Sequence, residues 1–150
     1  MSTFRSRWKK LARSKKYREE FVAAQVKRGI PFQVRKLMKQ FDLSQQELAE
    51  RAGLTQGVVS RAADPDYGNL TLNTIIRIAA GFDIAFVGKF VPFTELTKWY
   101  SDLPNEALIE PFAVEHERLE REEQSKSTHL SGHTLRDLAR SIHTKTPLPD

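Results

Sequence analysis

Between positions 55 and 63, Gln56, Gly57, Ser60 and Arg61 fall on one side of a short helical stretch, with Val58, Val59 and Ala62 as its apolar positions. The three polar side chains among them can read base edges. A glutamine amide bonds bidentately to adenine N6/N7, and a guanidinium to guanine O6/N7. A glycine admits close backbone approach, and a serine hydroxyl reaches a base or a phosphate. Bond-making chemistry has no comparable set. The chain contains no Cys, which excludes disulfides, thiolate nucleophiles and cysteine-ligated zinc. No Ser-His-Asp arrangement, phosphate-cradling glycine loop or paired-carboxylate pocket stands out. His129 and His133 are four apart, but Gly132 between them disfavours a helix and no third ligand accompanies them. The expectation is a non-enzyme with no metal and no cofactor.

A reading helix must be held from behind, and residues 44–55 supply the parts. Ser44 and Glu47 form a capping box that starts one short helix, carrying Leu48, Ala49 and Ala52. Gly53 suits a turn that needs φ > 0, and Thr55 is an N-cap for the next helix. Two short helices crossing steeply need a small residue at their contact, and Ala49 fills that place. Leu48, Ala52, Leu54, Val59 and Ala62 are the inward positions. This is the spacing of a DNA-binding helix-turn-helix over 45–64.

The stretch Leu43-Ser-Gln-Gln-Glu-Leu-Ala-Glu-Arg-Ala-Gly-Leu-Thr-Gln-Gly-Val-Val-Ser-Arg61 resembles the XRE/Cro/cI-type helix-turn-helix regulators of bacteria and phages. The likeness extends back to about Pro31 and on through Thr71–Phe82. The segment after it, including Phe90-Val-Pro-Phe-Thr-Glu-Leu96, resembles an extension of some bacterial members. The resemblance implies a lambda-repressor-like bundle of about five helices that binds operator DNA as a two-fold dimer. It implies that Thr55–Ala63 is the recognition helix, and that Gln45 holds a phosphate and braces that helix. Many members carry a glutamate just after the Ser-Arg pair, where this chain has Ala62 and Ala63. Arg35, Lys36 and Lys39, on the polar side of the preceding helix, are the expected phosphate contacts, with the backbone N–H groups of the two helix starts adding anion attraction.

Charge is distributed unevenly over the 150 residues, whose formal net is +5. Residues 1–40 are net +11, 41–100 net −2 and 101–150 net −4. The overall basicity is one basic end on a mildly acidic remainder. Arg5 to Arg18 are expected to form an arm along the DNA backbone or in the minor groove. Met1 to Arg18 share the Arg-, Lys- and Ser-rich, acid-free composition of an organellar transit peptide, but the motif downstream is of bacterial type. No apolar run is long enough to span a bilayer, so no membrane contact is expected.

Periodicity places the remaining elements. Tyr17, Phe21 and Ala24 mark a first helix that Gly29 and Pro31 should break; Pro31 then starts the next, striped by Val34, Leu37, Met38 and Phe41. Leu72, Ile75, Ile76 and Ala79 are the expected inner face of the helix capped by Thr71, with Gly81 near its end. Ile84–Val91, rich in β-branched and aromatic residues, reads as a strand that needs a partner, such as the same strand of a second subunit. Thr94 caps a short helix holding Leu96, Trp99 and Tyr100, with Trp99 in the core. Leu135, Leu138 and Ile142 give only a weak amphipathic helix within a charged, Ser/Thr-rich tail.

The expected fold is mainly α: a compact helical bundle with a helix-turn-helix, one short C-terminal β-strand and a flexible tail. Its expected parts are a basic arm over 1–16, the DNA-binding domain over 17–83, a strand and short helix for dimerisation over 84–103, and a polar tail over 104–150. The function expected is a sequence-specific transcriptional regulator, a repressor that binds a palindromic operator in double-stranded DNA as a homodimer in the bacterial cytoplasm. The alternative is an antitoxin of a toxin–antitoxin pair, which autoregulates through the same domain and masks a toxin protein with its tail. A third reading, a purely protein-binding adaptor, would owe nothing to Gln56 and Arg61.

Overall fold

Seven helices follow one another in the computed structural model, which describes residues 4–102 and 108–143: α1 (Phe4–Leu11), α2 (Lys15–Gln40), α3 (Gln45–Ala52), α4 (Gln56–Ala62), α5 (Leu72–Phe82), α6 (Phe93–Asp102) and α7 (Phe112–His143). The chain up to Ile109 forms one compact unit, and Glu110 onward a second. The core of the first gathers Val34 and Leu37 of α2, Leu48 and Ala49 of α3, Val59 and Ala62 of α4, and Ile78 and Phe82 of α5. Leu48, Val59 and Ala62 are fully enclosed. Burying a side chain such as Leu48 or Val59 is worth about 1.5–3 kcal/mol. The Phe41 and Phe82 rings meet at 5.6 Å and close the core between the C-terminal ends of α2 and α5.

The basic end is more ordered than an arm. Residues 4–11 are helical, Leu11 is 2% exposed, and Arg18 Nη1 donates to its carbonyl oxygen at 3.0 Å. Ser14 caps α2 by accepting from Tyr17 N. The expected break at Gly29–Pro31 does not occur, and α2 runs straight through. An interior proline forfeits one helical hydrogen bond and costs about 3 kcal/mol. Here the Pro31 ring is fully buried, and its packing offsets part of that cost.

The strand expected over Ile84–Val91 is also absent; among the described residues no strand forms. A strand needs a neighbour to pair with, and no other extended segment lies alongside within the described chain. Ile84 alone packs partly on the core, while Val87 and Phe90 are 80% and 108% exposed. One further expectation about α5 is corrected. Leu72 and Ile76 lie outside, at 70% and 57% exposure; the inner face is Ile75, Ile78, Ala79 and Phe82. Gly81 lies near the end of the helix, as expected, and the helix stops on Asp83 in the left-handed region (φ 58°). The short helix α6 begins at Phe93, so Thr94 lies in its first turn rather than capping it. Thr97, 1% exposed, satisfies its hydroxyl on the Phe93 and Thr94 carbonyls.

The region read as a flexible polar tail contains α7, a helix of 32 residues that passes through Gly132. Its side chains from Phe112 to Thr128 are all exposed, and Lys, Glu, Arg and Gln within it favour helix. The side chains of Trp99, His129, His133, Leu135, Leu138 and Ile142, and the chain ends beyond His143 and before Phe4, lie outside the described residues.

Candidate nucleic-acid interface

The α3–turn–α4 unit is tied at each end by side chains that sequence alone identifies. Ser44 Oγ accepts from Glu47 N (3.2 Å), and Glu47 Oε2 accepts from Ser44 N (2.8 Å), completing a reciprocal capping box. Hydrogen bonding to the carboxylate from the Ser44 backbone N–H and from the Ser44 side chain, with Arg51 nearby, holds the Glu47 carboxyl below its usual pKa. Gly53 adopts φ 63°, which an L side chain adopts only with strain. Its turn is closed by Leu54 N donating to Ala49 O at 2.9 Å. Thr55 Oγ1 then caps α4 by accepting from Val58 N (3.3 Å).

Two residues fix this unit onto α5: Arg77, which sequence reasoning passed over, and Gly81, which it placed only near the helix end. Arg77 Nη1 donates to Gly53 O at 3.2 Å and so holds the turn from outside. Gly81 is where α5 touches α3. A Cβ there would stand 3.0 Å from Ala52 Cβ and 3.1 Å from both Ala52 N and Leu48 Cδ1. The signal was present, since a glycine inside an apolar helical pattern marks close approach.

Behind α4, Val59 and Ala62 are buried; in front, Gln56, Gly57, Ser60 and Arg61 are exposed. The three side chains expected to read bases therefore share the outward side of one helix with Gly57. Thr55 stands at its start with the hydroxyl oxygen engaged in the cap. Ser60 also lines a concavity of about 350 Å³ with Arg35, Gln45, Met38, Ala63 and Asp64. Three residues expected at the interface thus converge there: Arg35 from α2, Gln45 from the start of α3 and Ser60 from α4. A donor-bearing cleft beside a reading helix can hold a phosphate oxygen. Lys36 and Lys39 are exposed on α2 but do not line this cleft. Asp64, its acidic member, was not foreseen.

Arg61 makes no ion pair with any described residue; its guanidinium carbon lies 5.8 Å from the centroid of the Tyr67 ring. Further off in sequence, the cations of α1 and the link to α2 separate into two groups. Lys15 and Lys16 pair with Glu19 and Glu20 one turn on. Arg5, Arg7, Lys9, Lys10 and Arg13 have no acidic partner among the described residues.

Among the described residues no helix is long and apolar enough to cross a membrane. Residues 34–88, about a third of the chain, match the family model described as helix-turn-helix. No curated protein and no solved structure gives a significant match.

Proposed function

From the XRE-type helix-turn-helix domain at residues 34–88, which implies DNA as a partner, we propose that the protein is a sequence-specific transcriptional regulator. It acts as a repressor and binds a palindromic operator as a homodimer, with half-sites about one helical turn apart. The observation that carries this reading is the division of α4: Val59 and Ala62 locked in the core, Gln56, Gly57, Ser60 and Arg61 presented outward. In this reading α4 enters the major groove, Gln56 reads adenine and Arg61 reads guanine. Gly57 lets the helix approach, Gln45, Ser60 and Thr55 engage the backbone or a base edge beside it, and Arg35, Lys36 and Lys39 neutralise phosphates.

The unpaired cations of α1 add sequence-independent attraction. Each phosphate neutralised steepens the salt dependence of binding by about 0.9 log units per log unit of salt. The second copy has an apolar surface to meet: Leu72 and Ile76 on α5, and Phe86, Val87 and Phe90 in the extended segment, are all exposed.

Selection of bound duplexes from a random pool tests the proposal. The expected result is a two-fold symmetric consensus, lost in Gln56→Ala with Arg61→Ala, each costing about 1–3 kcal/mol per bidentate base contact. Recovery of no consensus, or one unaffected by both substitutions, overturns it and favours an adaptor. Sedimentation of Phe86→Asp tests the dimer, and an unchanged dimeric mass removes the extended segment from the interface.

A second reading is favoured by α7. Its long exposed helix, bearing Phe112, Val114 and Leu119 at 62%, 48% and 53% exposure, belongs to a unit separate from the DNA-binding one. Such a helix suits a protein partner, and in the antitoxin version that partner is a toxin encoded beside this chain. Deleting residues 110–150 should then abolish toxin neutralisation and leave operator binding intact; retained neutralisation rejects it.

A further inference from the structure

We propose that Tyr67 is a specificity-determining residue: it positions the Arg61 guanidinium for base reading, although it lies outside the reading helix. The inference rests on Arg61 being a base reader, and it concerns what holds that side chain ready. A free arginine carries about 2 kcal/mol of rotamer entropy, part of which must be surrendered when its fork engages a base. Fixing the fork beforehand reduces that loss.

Two surfaces fix Arg61. The Tyr67 ring lies 5.8 Å from its guanidinium carbon, within cation–π range. On α4 one turn earlier, the guanidinium lies over Gly57, with Arg61 Nη1 at ordinary contact distance, 3.6 Å, from where a Cβ would stand. The side chain therefore lies back along the helix rather than extending freely. The nature of the partner matters. A carboxylate would occupy the guanidinium's in-plane N–H donors, the same donors that guanine O6 and N7 need. An aromatic ring meets the flat face of the cation and leaves those donors available.

The loop that carries Tyr67 is built to hold it. Asp64 Oδ1 accepts from Asp66 N at 2.9 Å, and Asp64 O accepts from Tyr67 N at 3.3 Å. Gly68 turns the chain at φ 66°. The aliphatic stem of Lys27 packs over it, with Lys27 Cδ 3.4 Å from where a Gly68 Cβ would be. A line of contact thus runs from α2 through Gly68 and Tyr67 to the tip of Arg61.

The test is selection from random duplexes with the full chain and its Tyr67→Ala, Tyr67→Phe and Arg61→Ala variants, alongside their melting temperatures. Tyr67→Ala should reduce the preference for guanine at the Arg61 position by about 2- to 5-fold, the range of an exposed cation–π contact. Preferences at the other positions should remain. Tyr67→Phe, which keeps the ring face, should restore guanine preference, a rescue that a loss of the tyrosine hydroxyl would not permit. If Arg61→Ala relaxes one position and Tyr67→Ala leaves that position as sharp as in the parent protein, the inference is wrong. So it is if Tyr67→Ala weakens all positions equally. If Arg61→Ala changes no position, the base-reading role of Arg61 fails instead.

Discussion

Gly29 and Gly81 both lie inside helices of this protein, and alanine should act oppositely at the two positions. In a helix interior, Gly→Ala gains about 0.5–1 kcal/mol from the narrower unfolded ensemble and better helix propensity. At Gly29 in α2 a new Cβ meets nothing within 4 Å, so that gain should appear in full. At Gly81 in α5 the same Cβ would stand 3.0 Å from Ala52 Cβ and 3.1 Å from Ala52 N and Leu48 Cδ1. Comfortable contact between carbon atoms is about 3.5–4.0 Å. Ala52 cannot turn aside, because its Cβ and N move only with the α3 backbone. Overpacking of this kind costs about 1–3 kcal/mol. Set against the propensity gain, Gly81→Ala should come out about 0–2 kcal/mol less stable than the parent. Urea unfolding followed by circular dichroism measures both variants under one set of conditions. A Gly81→Ala protein as stabilised as Gly29→Ala would refute the reasoning, since it would mean that α3 yields freely to α5. Ala52→Gly in the Gly81→Ala background removes one of the short contacts and should recover part of the loss.

Thr55→Ala removes the side-chain cap of α4 and should cost about 1 kcal/mol in urea unfolding, while Thr55→Ser retains most of it. Equal stability of the two variants would show that the hydroxyl is not capping. For Glu47 the folded-state pKa is lowered by its Ser44 hydrogen bonds. Its contribution is therefore fully present above the unfolded-state value and lost as pH falls through the lower folded value. Glu47→Gln should be less stable than the parent at neutral pH, with the two converging as the solution is acidified. Urea midpoints measured across that acidic range check this, and a constant difference would contradict it.

The helix-turn-helix was legible because each of its parts is a local requirement. A capping box needs only Ser44 and Glu47, the turn needs Gly53, and the buried set Leu48, Ala52, Val59 and Ala62 follows from helical spacing. Where the reading missed, the deciding interaction was not local. Pro31 breaks a helix in isolation, but here its ring is fully buried, a gain that only the folded chain supplies. Apolar alternation over Ile84–Val91 announced a strand, yet pairing is a property of two segments, and the described chain has no second one. Leu72 and Ile76 fit an apolar helical stripe as well as Ile75 and Ile78 do. Only the position of the core selects between those faces. Of the interface, Gln56, Gly57, Ser60 and Arg61 followed from helical phase. Tyr67 and Arg77 did not, because a loop residue and a residue on another helix reach the site only through the fold.

The charge pattern assigns different tasks to different segments. Residues 41–100, which include α3 and α4, are net −2. A segment of that sign is not drawn to a polyanion by its net charge. Under the proposed function its outward side chains would discriminate through directed hydrogen bonds, while long-range attraction has to come from elsewhere. Residues 1–40 are net +11, and the unpaired cations of α1 are presented by a helix anchored through Leu11 rather than by a free arm. Neutralising those cations should reduce the salt slope of binding and leave the selected consensus unchanged, whereas changes to α4 should do the reverse. The separation is possible because Gln56, Ser60 and Arg61 are exposed, while Val59 and Ala62 carry the packing of α4. The core then makes no demand on Gln56, Ser60 or Arg61, and the reading side of α4 can change without unfolding what holds it.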